Sequence, residues 1–180
     1  MTLKPDEFTE QAQEVLATSQ EIAIRYGHDQ LDLEHILLAL LEVEGVTGSI
    51  LGELDVPVDV MRDNLASALK KSPATGAGSR QLYMTPRSEQ LLTDAKSESK
   101  RLKDDYIGVE HLLIASTLQD QGDAFQILKQ FNVTQERVYR ALQKVRGAHR
   151  VDDPRAESRY RALAKYSIDL TELATKGKLD

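Results

Sequence analysis

Two stretches of this sequence, seventy-six residues apart, carry nearly the same text. Leu31-Asp32-Leu33-Glu34-His35-Ile36-Leu37-Leu38-Ala39 reappears as Ile107-Gly108-Val109-Glu110-His111-Leu112-Leu113-Ile114-Ala115. The Glu-His pair is identical and the apolar pattern on both flanks is kept. An internal repeat constrains architecture before any single residue does, because each copy must be one structural unit. It also gives any site on one copy a candidate twin on the other.

The match extends well beyond that segment. At the same offset Thr9 falls on Thr85, Val15 on Leu91, Leu16 on Leu92 and Tyr26 on Leu102. From Leu118 onward the offset becomes seventy-seven, and Gly45 falls on Gly122, Ile50 on Ile127, Leu51 on Leu128 and Val56 on Val133. The copies run from about residue 8 to 70 and from about 84 to 146. Each is shorter than the roughly 70–80 residues at which a single core becomes dependable. The two are therefore expected to share one core as a pseudo-twofold body.

Periodicity within each copy is helical. Ala12, Val15, Leu16, Ser19, Ile22, Ala23 and Tyr26 form one stripe over residues 9–26. The counterpart opens at Thr85, a capping residue, with Pro86 at the first helical position, where a missing N–H costs nothing. Its stripe, Ser88, Leu91, Leu92, Ala95, Ser99 and Leu102, is more polar. Asp32 is a good cap for the second helix of copy one, and Gly108 stands in its place in copy two. Short apolar segments follow, and each copy closes on an amphipathic helix marked by Met61, Leu65 and Leu69 or by Val138, Leu142 and Val145. No pattern reads as a strand pair, so the expected class is all-α with two four-helix repeats.

The stretch from Ser72 to Ser79, rich in Pro, Gly and small residues, reads as a connector. After Gly147 the sequence becomes highly charged, and apolar residues return at Leu163, Tyr166, Ile168, Leu170 and Leu173. The expected division is a domain over 1–147 and a linker with an entry segment over 148–180.

Composition limits the chemistry. A net charge of −6, 5% aromatic residues and no Trp give little support to nucleic-acid binding. Arg146, Arg150, Arg155, Arg159 and Arg161 cluster, but Asp152, Asp153 and Glu157 interleave with them, as on a solvated linker. With no Cys there are no disulfides, thiolate metal sites or cysteine nucleophiles. No run approaches the roughly 18 apolar residues of a membrane span, and no secretory leader is visible. The expected location is the cytoplasm, with no membrane partner.

Phosphate-loop, H-E-x-x-H and G-x-S-x-G signatures are absent, so the chain is not expected to be an enzyme or to hold a cofactor or metal. Each repeated His follows its Glu directly, and adjacent helical residues point about 100° apart, a poor chelating geometry. The histidines are expected to pack at the helix starts and bond locally. Glu34 and Glu110 lie in first helical turns, where a carboxylate gains roughly 0.3–1 kcal/mol from the helix dipole. That gain accounts for them; so would a basic or guanidinium-bearing partner. Leu91 and Leu92 are adjacent, so one of them packs in the core or lines a groove.

The duplication, opened by Phe8-Thr9-Glu10 and by Met84-Thr85-Pro86-Arg87, together with the paired Glu-His-(Ile/Leu)-Leu segments, resembles the Clp N-terminal (Clp repeat) domain. The tail from Lys165 to Asp180 resembles the entry to the first AAA+ module of ClpB- and ClpC-type chaperones, and the short charged connector leans toward the ClpB type. The resemblance implies a monomeric helical domain tethered to a hexameric unfoldase that uses ATP and Mg. It implies substrate recruitment from unfolded or aggregated proteins, with the protein's own AAA+ modules and the DnaK system or adaptors as further partners. By motif, Thr9 and Glu110 match substrate-engaging positions, and Leu92 and Asp104 a groove lining and its acidic rim. Glu34 and Glu110, with Thr9 and Thr85, match the paired sites at which ClpC-type domains, which feed the ClpP protease, take phosphoarginine. Leu33 and Val109 lack the hydroxyl that a phosphate would use, which shifts the expectation toward exposed apolar segments.

Overall fold

The computed structural model describes residues 3–74 and 81–158. Part of the connector and the whole entry segment over 165–180 lie outside the described residues. Eight α-helices are present among those described: α1 (Glu10–Arg25), α2 (Leu33–Glu42), α3 (Val46–Glu53), α4 (Val58–Lys71), α5 (Pro86–Arg101), α6 (Val109–Thr117), α7 (Asp123–Gln130) and α8 (Gln135–Arg146). The all-α fold of two four-helix repeats stands.

Helix starts follow the capping chemistry of the sequence. Thr9, Thr85 and Thr134 each accept, through the side-chain oxygen, from the backbone N–H three residues on. Asp32 accepts from Leu33 N. Such caps satisfy N–H groups that have no partner within the helix.

The centre is built by α2 and α6, the two helices of the repeated text. Residues Leu33 to Leu41 are all buried, as are Val109 to Ser116. Each is wrapped by the first helix of its own copy and also touches helices of the other copy. α3 packs on α8 and α4 on α7, so the interface between copies is part of one continuous apolar core. Neither copy could close this core alone.

One detail departs from the purely helical expectation and positions everything that follows. β1 (Gln30–Leu31) runs parallel to β2 (Tyr83–Met84), with Leu31 paired to Met84. Phe8 and Ile107 form the equivalent parallel bridge. By the repeat offset these are the same contact made twice, and both join the lead-in of one copy to the second helix of the other. Thr85 N donates to Leu31 O (3.1 Å) and Thr9 N to Ile107 O (3.0 Å). The caps of α5 and α1 are thereby set beside the starts of α2 and α6.

Candidate functional site

Crossing the lead-ins creates two pseudo-equivalent sites. Site one holds Asp32, Glu34 and His35 from copy one with Thr85, Arg87 and Ser88 from copy two. Site two holds Gly108, Glu110 and His111 from copy two with Thr9 from copy one. Thr85 bonds Asp32 in the site of Glu34, and Thr9 bonds Glu157 in the site of Glu110, so each threonine comes from the other copy than its glutamate.

The histidines behave alike. Asp32 N donates to His35 Nδ1 (2.9 Å) and Gly108 N to His111 Nδ1 (2.7 Å). Each imidazole must therefore carry its proton on Nε2. His35 Nε2 meets His28 Nδ1 at 2.8 Å, and His111 Nε2 meets Asp104 Oδ2 at 2.7 Å. His28 and Asp104 occupy equivalent positions in the repeat. Burial, followed by the neighbouring His28, holds the His35 pKa down at about 4. The local-packing reading of the histidines is what the geometry shows, and among the described residues no group of three or more metal-ligating side chains is assembled.

Site one is closed by a guanidinium of the same chain. Arg87 Nη2 lies 2.9 Å from Asp32 Oδ2 and 3.2 Å from Glu34 Oε1, and Arg87 Nη1 donates to Gln121 O (2.9 Å). Thr85 Oγ1 donates to Asp32 Oδ1 (3.0 Å), and the N-terminal amide of α7, Ala124 N, donates to Glu34 Oε2 (3.2 Å). Burial would raise the Asp32 pKa, but Arg87 and the Leu33 N–H outweigh it and hold it low. Glu34 goes the other way: burial, then the adjacent Asp32 charge, lift it in spite of Arg87. Gly122, with φ +95°, leaves room for Arg87, since a Cβ there would fall 2.2 Å from Nη1. The basic partner considered for Glu34 thus exists, and it is internal.

Site two is built differently. Gly108 provides no capping side chain, and Glu157 supplies one from outside the repeat. Glu157 Oε1 accepts from Val109 N (3.1 Å) and Thr9 Oγ1 (2.7 Å), the same two partners that Asp32 Oδ1 finds at Leu33 N (2.8 Å) and Thr85 Oγ1. Glu110 is fully buried, and among the described residues neither of its oxygens has a hydrogen-bond donor. Its nearest cation is Arg146, whose Nη1 is 3.6 Å from Oε2. Burial, then the charge of Glu110, pushes the Glu157 carboxyl up to about 7. A Cβ at position 108 would lie 2.1 Å from Glu110 Oε1 and 2.6 Å from Glu157 Oε1, so glycine is what admits both carboxyls.

Asp104 is not an exposed acidic rim: it is buried, bonded to His111, held 3.0 Å from Arg146 Nη2 and accepting from Val151 N at 3.0 Å. Burial would raise its pKa, but His111, Val151 N–H and Arg146 together hold it low. Arg146 does not belong to a solvated cluster; it is buried between Asp104 and Glu110. Of the leucine pair, Leu91 is fully buried, whereas Leu92 is half-buried against the edge of the core.

Arg87, Arg146 and Glu157 were not singled out from the sequence as site residues. The signal for Glu157 was the missing cap at Gly108; a buried helix start without one needs a donor-satisfying group from elsewhere.

A family model described as the Clp repeat (R) N-terminal domain matches residues 7–172. The chain belongs to this family. It is 35% identical over 179 residues to the chaperone protein ClpB of Bacillus anthracis, covering 97% of this chain and 21% of that protein. It is 38% identical over 177 residues to ClpB 1 of a Nostoc species, covering 98% and 20%. The chain thus spans about a fifth of the length of these curated relatives. Among solved structures, the Hsp104 N-terminal domain from Candida albicans aligns with TM-score 0.71 at 22% identity, over 84% of this chain and 99% of that one. The N-terminal domain of ClpD from Arabidopsis thaliana aligns with TM-score 0.60 at 23% identity, over 77% and 96%. These likenesses are of fold. Among the described residues no single helix is long and apolar enough to cross a membrane.

Proposed function

We propose that this chain is the substrate-recruiting domain of a longer ATP-dependent disaggregase, and that site two is its recruiting face. The observation that carries the reading is the buried Glu110 carboxylate, which lacks a hydrogen-bond donor among the described residues, while its twin Glu34 is held by Arg87 and Ala124 N. A carboxylate in that state gains most from a donor supplied by a bound chain. Thr9 and the α6 N-terminus belong to the same site, and half-buried Leu92 on α5 is assigned by this reading as an apolar contact for the bound segment. Exposed stretches of unfolded or aggregated proteins that carry a basic residue next to apolar ones fit this combination.

The relatives support a place in a hexameric AAA+ assembly that consumes ATP with Mg, working with a DnaK-type system or adaptors. The alternative, phosphoarginine docking for a ClpC-type unfoldase, calls for two receptive carboxylate sites. Arg87 fills one of them, which favours the disaggregase reading.

The test is titration of a fluorescently labelled unfolded protein with the 180-residue chain. Saturable, salt-sensitive binding is expected, weakened severalfold by Leu92→Ser and by Glu110→Gln. Equal binding by all three, or none by the wild type, would remove the recruiting role.

A further inference from the structure

The chain beyond α8 does not leave the domain at once. Gly147, with φ +58°, turns it back across site two. Val151 anchors it: Val151 O accepts from Asp105 N (2.9 Å), Val151 N donates to Asp104 Oδ1, and the side chain is fully buried. After a turn at 153–155, Pro154 O accepts from Glu10 N (2.8 Å) and Arg155 Nε reaches Glu10 Oε1 at 3.2 Å. Ala156 is then buried, and Glu157 enters the pocket formed by Thr9, Gly108 and Val109.

From this geometry we propose that residues 154–158 are a latch, with Glu157 as an intramolecular ligand of site two, and that the docked latch keeps substrate segments from Glu110. The inference rests on site two being the recruiting face. Glu157 mimics Asp32 partner for partner, yet the two residues are held by unequal means. Asp32 is part of the chain that it caps and is neutralised by Arg87. Glu157 reaches Val109 from 48 residues away and meets a second carboxyl, Glu110, in place of a guanidinium. Its dockings are two hydrogen bonds to Glu157, the Pro154 carbonyl, an exposed Arg155–Glu10 ion pair and one alanine methyl, which a competing segment could replace.

The charged groups around the pocket set the direction of its pH response. α6 contributes Glu110 and His111, α8 contributes Arg146, and the turn before α6 contributes Asp104, paired with both His111 and Arg146. α1 contributes Glu10, paired with Arg155 on the latch itself. The group facing Glu157 most directly is therefore another acid. A docked carboxyl raised from 4.5 to about 7 binds its proton more tightly than the released one. Docking is then strongest below about pH 4.5, weakens by on the order of a hundredfold as the pH rises to about 7, and is flat above that.

Amide hydrogen exchange on the 180-residue chain reads the latch directly. The Val109 and Glu10 amides report it, because they donate to Glu157 and to Pro154 O, while the Asp105 amide reports the Val151 anchor. In the wild type, protection of the first two, corrected for intrinsic rates, is expected to fall on the order of a hundredfold between pH 5 and pH 8 while Asp105 stays protected. Glu157→Gln keeps the acceptor oxygen without the charge and should stay protected at all pH values; Glu157→Ala should lose that protection at all of them. In the same buffers Glu157→Ala should bind the labelled unfolded protein severalfold more tightly than the wild type at pH 6. Unchanged Val109 and Glu10 protection in Glu157→Ala would overturn the latch. Released amides with equal binding by both proteins would overturn its control of the site. Released amides with no binding by either would keep the latch and overturn the recruiting role.

Discussion

The two copies began as nearly the same text and end as two different kinds of closure. In site one the carboxylates Asp32 and Glu34 are held by Arg87, which comes from the first turn of a well-formed helix. Site two has no such guanidinium at the corresponding position, which is Gln11. Its carboxylate Glu110 is buried beside a second acid, with Arg146 at a longer distance. Duplication preserved the fold of the pocket and let its electrostatics diverge. One site is closed by an internal, partly exposed guanidinium. The other is covered by a segment that its own chemistry pushes away.

The sharpest way to break this contrast is to remove the cation of site two. Arg146→Ala leaves Asp104 and Glu110 buried without their counter-charge, and unfolding in urea should show a loss of roughly 3–5 kcal/mol. A loss below about 1 kcal/mol would mean that site two tolerates its charges unaided. Next in size are matched cavity mutations in the central helices. Leu37→Ala and Leu113→Ala should each cost roughly 2–5 kcal/mol and by similar amounts, since both side chains are fully buried. A large inequality would show that the core is not shared evenly.

His35 gives site one a pH response. Burial and His28 depress His35 to about 4, so between about pH 6.5 and 4 the unfolded chain binds a proton that folded His35 refuses. Stability from this group is fully present above about 6.5 and falls as the pH drops through that window, by on the order of 3 kcal/mol. His35→Gln should flatten that part of the pH–stability curve. The smallest effects come from the caps. Thr85→Ala and Thr9→Ala should each cost about 1 kcal/mol and by similar amounts, because each hydroxyl caps its helix and also donates to a carboxyl, Asp32 or Glu157. A Thr9→Ala cost well below that of Thr85→Ala would weaken the assignment of Glu157 to that hydroxyl.

Much of this was legible in the residues. The repeat, the helical periods and the caps at Asp32 and Thr85 are local signals, and each appears where the sequence puts it. The exchange of lead-ins between copies was not legible. A repeat says that two units are alike, but not which part of one touches which part of the other, and the two-residue strands that carry the exchange have no periodicity to read. Arg146 looked solvated because its neighbours in sequence are charged, whereas its helix turns it inward to Asp104. Glu157 lies outside the repeat, so only Gly108, a cap position without a side chain, pointed to it.

The central claim is that the copies share a fold and divide their roles, with site two as the recruiting face. It is tested most directly by titrating one labelled unfolded protein against Glu34→Gln and Glu110→Gln, after urea unfolding has established that both are folded. Binding is expected to weaken severalfold in Glu110→Gln and to stay near wild type in Glu34→Gln. Equal weakening in both variants, or weakening in Glu34→Gln alone, would contradict the claim.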